Sequence, residues 1–97
     1  MIERVTKNED RLDNIVSCIR NLEKSLEDFN LKRKDINLLN KYYGSKNWFK
    51  DKEAYEKGKN SNLKAGVLSE DAVWNMNEDI NELLISMQNI IDSYKEK

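Results

Sequence analysis

The sequence contains no proline and no histidine, and it has only three glycines and one cysteine. So few turn-forming residues argue against a β-sandwich or barrel and favour long helices. Without histidine, and with Cys18 as the lone cysteine, the chain has no residues for histidine acid–base chemistry, zinc clusters, Cys–His nucleophilic pairs or disulfides. We therefore expect an all-α protein that is not an enzyme and that needs no metal or other cofactor.

The 97 residues are enough for one small domain, which we predict to span residues 1–97. Charged residues (36%) are almost as frequent as apolar ones (38%), so the core should be thin. No apolar run indicates a signal peptide or a membrane-spanning helix, and we expect a cytoplasmic protein without membrane contact. Lysine and asparagine are unusually frequent, a bias typical of low-GC bacterial, phage or mobile-element genes.

Apolar residues recur every three or four positions through the first half of the chain. This spacing predicts a long helix over about 2–43, starting near residue 2 or at a capping box formed by Thr6 and Glu9, with Gly44 ending it. Ten of thirteen positions at this spacing are apolar: Met1, Val5, Leu12, Ile15, Ile19, Leu22, Leu26, Phe29, Ile36 and Tyr43. The exceptions, Asn8, Arg33 and Asn40, either fix the register of a helix pair or are solvated.

Two further helices are predicted after Gly44. The first covers about 46–57, with Ser45 as its cap and Gly58 as its end. After a hydrophilic connector, the second covers about 70–95, with Ser69 as its N-cap and Leu68 placed to pack on Val73 as a hydrophobic staple. Its apolar stripe is unbroken: Val73, Met76, Ile80, Leu83, Met87, Ile90 and Tyr94.

The helix lengths suggest how these elements pair. At 1.5 Å per residue the last helix matches only part of the first, and the short middle helix covers most of the remainder. We therefore predict a helical hairpin, resembling a coiled coil, in which the middle and last helices both run antiparallel to the first. Apolar residues outside the two stripes favour a homodimer in which two hairpins form a four-helix bundle: Val16, Leu39, Leu84, Ile85 and Ile91.

The middle of the chain carries a recognisable pattern. It consists of Tyr42-Tyr43-Gly44-Ser45, then Trp48, Asp51, Glu53 and Gly58, and finally Gly66-Val67-Leu68-Ser69-Glu70-Asp71 with Val73. This pattern resembles domain-of-unknown-function family 4298, a family of small bacterial proteins. The resemblance covers essentially the whole chain and implies a short, stand-alone helical protein with no established activity.

Basic and aromatic residues are concentrated in the middle of the chain. Residues 31–64 have ten basic and four acidic side chains, a net charge of +6, whereas the whole chain has −1. Such a mixture is typical of single-strand nucleic-acid binders, but aromatic residues are also what a short helix needs to anchor itself in a core. Trp74 lies off the last stripe, so it either packs on Val67 or the middle helix or faces a partner. The candidate partner-binding residues are Tyr42, Tyr43, Trp48, Phe49, Lys50, Tyr55 and Trp74.

From the sequence we expect a non-enzymatic interaction protein, an adaptor or inhibitor, that binds a protein partner of unknown identity. Nucleic-acid binding through residues 41–57 is the alternative. Acidic pairs at helical spacing, such as Glu23 with Glu27, lack the histidine partner of a di-iron bundle, so we expect no metal site.

Overall fold

The computed structural model describes residues 1–96, which form helices and turns and no strand. The all-α class is thereby confirmed. No helix in this part of the chain is both long enough and apolar enough to cross a membrane. The helices are α1 (Ile2–Leu31), α2 (Arg33–Tyr42), α3 (Lys46–Glu56), a 3₁₀ helix (Gly66–Leu68) and α4 (Ala72–Lys95).

The predicted first helix is divided at a single residue, Lys32. The Lys32 N–H bonds to the carbonyl of Phe29 at 3.0 Å, three residues back rather than four, and this tighter bond ends α1. Backbone hydrogen bonds to the residue four positions back resume with Ile36, whose N–H bonds to the Lys32 carbonyl at 2.9 Å. Because α1 begins at Ile2, the Thr6 and Glu9 pair does not start the helix.

The turn between α2 and α3 forms as the sequence predicts. Gly44 has φ +78°, the left-handed conformation that glycine adopts without a steric penalty. Ser45 is extended, and its hydroxyl accepts the backbone N–H of Trp48 at 3.2 Å, which caps α3. Gly58, with φ +87°, follows the end of α3.

The last helix begins two residues later than predicted. Ser69 directly follows the 3₁₀ helix, and its backbone is extended rather than helical. Its N–H bonds to the Gly66 carbonyl at 3.1 Å. Its hydroxyl nevertheless accepts the N–H of Ala72, the first residue of α4, at 3.1 Å. Ser69 therefore satisfies a first-turn donor of α4, although the helix itself starts at Ala72.

The chain divides into two compact units, Met1–Asn37 and the segment from Leu38 onward. The first unit contains α1, which has no buried residue. In the second unit the buried apolar residues are Trp48, Leu68 and Val73. The staple residues Leu68 and Val73 are thus both in this core. The single domain and the antiparallel hairpin stay predictions.

Candidate partner-binding surface

Trp48 lies at the centre of the second unit, although it was a candidate binding residue. It is only 4% exposed, in the first turn of α3. Its indole N–H donates to the carbonyl of Val67 at 3.0 Å, which joins α3 to the 3₁₀ helix. Buried in this way, the ring is not accessible to a nucleic-acid base or a protein partner. Trp48 instead anchors the short helix α3 in the core, which was the alternative interpretation of the aromatic residues.

Two aromatic rings meet Trp48 edge to face. The Tyr43 ring lies 5.2 Å from it at 73°, and the Phe49 ring lies 5.0 Å from it at 81°. Both geometries are the favourable T-shaped arrangement. The Tyr43 hydroxyl also donates to the backbone carbonyl of Glu70, so Tyr43 is held at both its ring and its hydroxyl.

Lys52 completes the surroundings of Trp48. Its ammonium lies 5.1 Å from the centre of the indole ring, within the range of a cation–π interaction, and 3.0 Å from a carboxylate oxygen of Glu70. The Glu70 side chain is largely exposed, so the ion pair contributes little stability. Lys52 is therefore engaged within the fold rather than free to track a phosphate backbone.

A tyrosine and a carboxylate join the end of α2 to α3. The Tyr42 hydroxyl donates to Oδ2 of Asp51 at 2.6 Å. This hydrogen bond, with burial and the negative charge of Asp51 as smaller causes, raises the pKa of Tyr42 from 10.0 to about 12. The hydroxyl, which is protonated at neutral pH in any tyrosine, here keeps its proton further into the alkaline range and donates to Asp51.

An amide pair joins α2 to α4. Asn40 donates to the side-chain oxygen of Asn77 at 3.2 Å, and Asn77 donates back at 2.8 Å. Asn40 was one of the polar exceptions in the first stripe; it is exposed and also bonds to Asn77, and its role in fixing the register of a helix pair stays a prediction. The sequence does not reveal this partner, because Asn77 lies 37 residues away and no local pattern signals the pairing.

The remaining candidate residues are more accessible. Phe49, Lys50 and Trp74 are exposed, whereas Tyr42, Tyr43 and Tyr55 are half-buried. Trp74, at the start of α4, is 58% exposed, and its presentation to a partner stays a prediction. The structure thus gathers Tyr43, Trp48 and Phe49 into one cluster in which only Phe49 has most of its surface free.

Exposed apolar residues lie along both long helices. On α1 they form what we call the α1 stripe, whose side chains are 41% to 58% exposed: Val5, Leu12, Ile15, Ile19, Leu22 and Leu26. On α4, five residues are 44% to 61% exposed: Leu83, Leu84, Ile85, Ile90 and Ile91. Val16 and Leu39, two of the apolar residues outside the predicted stripes, are half-buried.

The model of the family described as "Domain of unknown function (DUF4298)" matches residues 5–90, which is most of the chain. The chain belongs to DUF4298. The resemblance inferred from the motifs is therefore confirmed. No curated protein and no solved structure matches the chain.

The structure explains what the most specific motif of this DUF4298 chain does. In the Gly-Val-Leu-Ser-Glu-Asp segment, the Val67 carbonyl accepts from Trp48, Leu68 is buried, and the Ser69 hydroxyl accepts from the start of α4. The Glu70 carbonyl and carboxylate bind Tyr43 and Lys52. The segment thus connects α3 to α4, and each of these contacts is structural.

Proposed function

We propose that this DUF4298 protein is a non-enzymatic interaction protein of the cytoplasm, an adaptor or inhibitor that works by presenting helical surfaces. The observation that carries the proposal is the α1 stripe: six large apolar side chains on one face of a 30-residue helix that has no buried residue. Most helical stability in proteins comes from packing of an apolar face. A helix of this length with its face uncovered is built to be covered by a partner.

A second copy of the chain is the partner that we propose for this stripe. From Leu12 to Leu26 its apolar positions average 3.5 residues apart, the spacing at which one face of a helix packs along another. Identical chains supply identical stripes, as a symmetric interface requires. The exposed residues of α4, such as Leu84 and Ile91, would be covered in the same assembly if two chains form a four-helix bundle.

The surface around Phe49, Lys50 and Trp74 is proposed to remain free for a second protein. Phe49 and Trp74 are large aromatic residues that are more than half exposed, and aromatic residues are enriched at the energetic centres of protein interfaces. The process served by such a partner follows from its identity, which affinity capture from the source cell would supply.

Nucleic-acid binding is supported less well. The charge of the middle segment favours it, but Trp48 is buried and Lys52 is bound to Glu70, so the basic aromatic region has fewer free groups than its composition suggests. An oligonucleotide titration at ~50 mM salt separates the two functions. Micromolar binding that weakens steeply with added salt and requires Lys50 would favour nucleic acid.

The stripe itself is tested by Leu22→Asp, with Glu23→Ala as the matched control. Leu22 is more than half exposed in the single chain, so an aspartate there breaks a partner interface rather than a core. We expect Leu22→Asp to halve the mass measured by sedimentation and to lower the melting temperature, and Glu23→Ala to change neither. Equal masses and equal melts for the two variants would remove the α1 stripe as an interface.

A further inference from the structure

The second unit contains a cavity of about 200 Å³ beside α3 and the connector that follows it. Tyr42 and Tyr55 contribute aromatic walls, and Leu63, Val67 and Leu68 contribute aliphatic ones. A cavity of about 150 Å³ already accommodates benzene, whereas pockets for drug-sized ligands begin near 300 Å³. The size of this cavity therefore suits a single ring or a branched aliphatic group and excludes a nucleotide.

The charged groups of the cavity have one predominant sign. Lys59 and Lys64 both line it, and neither forms an ion pair with any residue in the described part of the chain. The single carboxylate that lines it, Asp51, already accepts the hydroxyl of Tyr42. Asp51 keeps its negative charge in that bond, so a ligand would meet an apolar interior, two ammonium groups and one carboxylate, a net charge of +1.

We propose that this cavity binds a small apolar carboxylate, with the ring or aliphatic group inside and the carboxylate beside Lys59 and Lys64. The apolar residues of the lining would contact the ring or aliphatic group, and the two lysines would contact the carboxylate. The carboxylate comes either from a free small molecule or from the C-terminal residue of a peptide, since both present the same chemistry. The site lies within residues 42–68 and does not depend on the dimer.

Amide chemical shifts of the ¹⁵N-labelled protein, titrated with phenylacetate, test the site directly. We expect saturable shifts confined to the residues that line the cavity. Phenethylamine, which has the same ring with a cationic head, should cause none. Shifts spread over the whole chain, an equal response to the amine, or no response at millimolar phenylacetate would overturn the proposal.

Substitutions test separately whether binding depends on the two lysines and on the apolar interior of the cavity. The double change Lys59→Ala with Lys64→Ala should weaken phenylacetate binding about three- to tenfold, since each is an exposed charge. Lys57→Ala is the control, because that ammonium binds Glu53 and lies outside the lining. Ala54→Leu should fill the cavity and abolish binding. Undiminished binding by the double variant or by Ala54→Leu would contradict the assignment.

A second pair of titrations identifies the source of the carboxylate. A short peptide that ends in a free C-terminal phenylalanine is compared with the same peptide ending in an amide. Binding of the free peptide at least tenfold tighter than phenylacetate, lost on amidation, assigns the site to a peptide terminus. Binding of phenylacetate with no peptide binding assigns it to a free small molecule.

Discussion

The indole N–H of Trp48 donates to the backbone carbonyl of Val67, 19 residues further along the chain, at 3.0 Å. This bond fastens the first turn of α3 to the segment that leads into α4. The bond is partly shielded from water, where a carbonyl left without a donor is costly, so a large side chain that also donates is favoured at this position. Trp48 therefore holds the second unit together, and the exposed Trp74 does not.

Replacing Trp48 by phenylalanine tests this role. The substitution leaves the Val67 carbonyl without its donor and removes buried apolar volume, so we expect a loss of about 1–3 kcal/mol in the free energy of unfolding. Urea denaturation followed by circular dichroism measures it. Trp74→Phe is the control and should stay within about 0.5 kcal/mol of the unchanged protein. Equal unfolding midpoints for the two variants would show that the Trp48 bond is not needed.

The hydroxyl of Ser69 supports the start of α4. Ser69→Ala leaves the N–H of Ala72 without its protein acceptor, and we expect a cost of about 1 kcal/mol. Ser61→Ala, in the exposed connector, is the matched control and should be silent. If both variants unfold at the same urea concentration as the original protein, the capping contact is without energetic consequence, and a binding role for Ser69 gains support.

The raised pKa of Tyr42 predicts a loss of stability in strong alkali. An unfolded tyrosine titrates near 10, whereas folded Tyr42 titrates at about 12 because of its bond to Asp51. The folded state holds the proton more tightly, so this contribution is fully present below about pH 10 and is lost as the pH rises through 12.

The absorbance of tyrosinate in a pH titration measures this directly. In the Tyr42→Phe variant, the part of the absorbance change that titrates near pH 12 should be absent. In the original protein unfolded by urea, that part should titrate near pH 10 instead. If the component lost in Tyr42→Phe titrates near 10, the hydrogen bond to Asp51 does not persist in solution.

The features that the sequence predicts well are those set by neighbouring residues. Gly44, Ser45 and Gly58 define where α3 begins and ends because their effects act within one turn of the chain. The predicted start of α4 is two residues too early, because no strong local signal in the sequence indicates the 3₁₀ helix at Gly66–Leu68. The break at Lys32 rests on a single shifted hydrogen bond. Arg33 interrupts the apolar spacing beside it, but two other polar residues interrupt the same spacing, so the interruption does not by itself indicate a break.

The candidate site is harder to predict because it depends on distant contacts. Composition groups Trp48, Phe49 and Lys50 together, but only the fold separates the buried ring from the two exposed side chains. The Asn40 and Asn77 pair and the link from Tyr43 to Glu70 join residues that are remote in sequence. The Gly-Val-Leu-Ser-Glu-Asp motif was the one sequence signal for the contact made by Glu70, although it does not show which residue binds it.

The mass of the protein in solution tests the central claim most directly. Light scattering on a size-exclusion column at tens of micromolar should give twice the chain mass of 11.5 kDa, because a second copy covers the α1 stripe. Dilution should lower this mass and the melting temperature together, as mass action requires. A mass near 11.5 kDa with a cooperative melt would contradict the account, since the chain would then be stable with that stripe uncovered by a second copy.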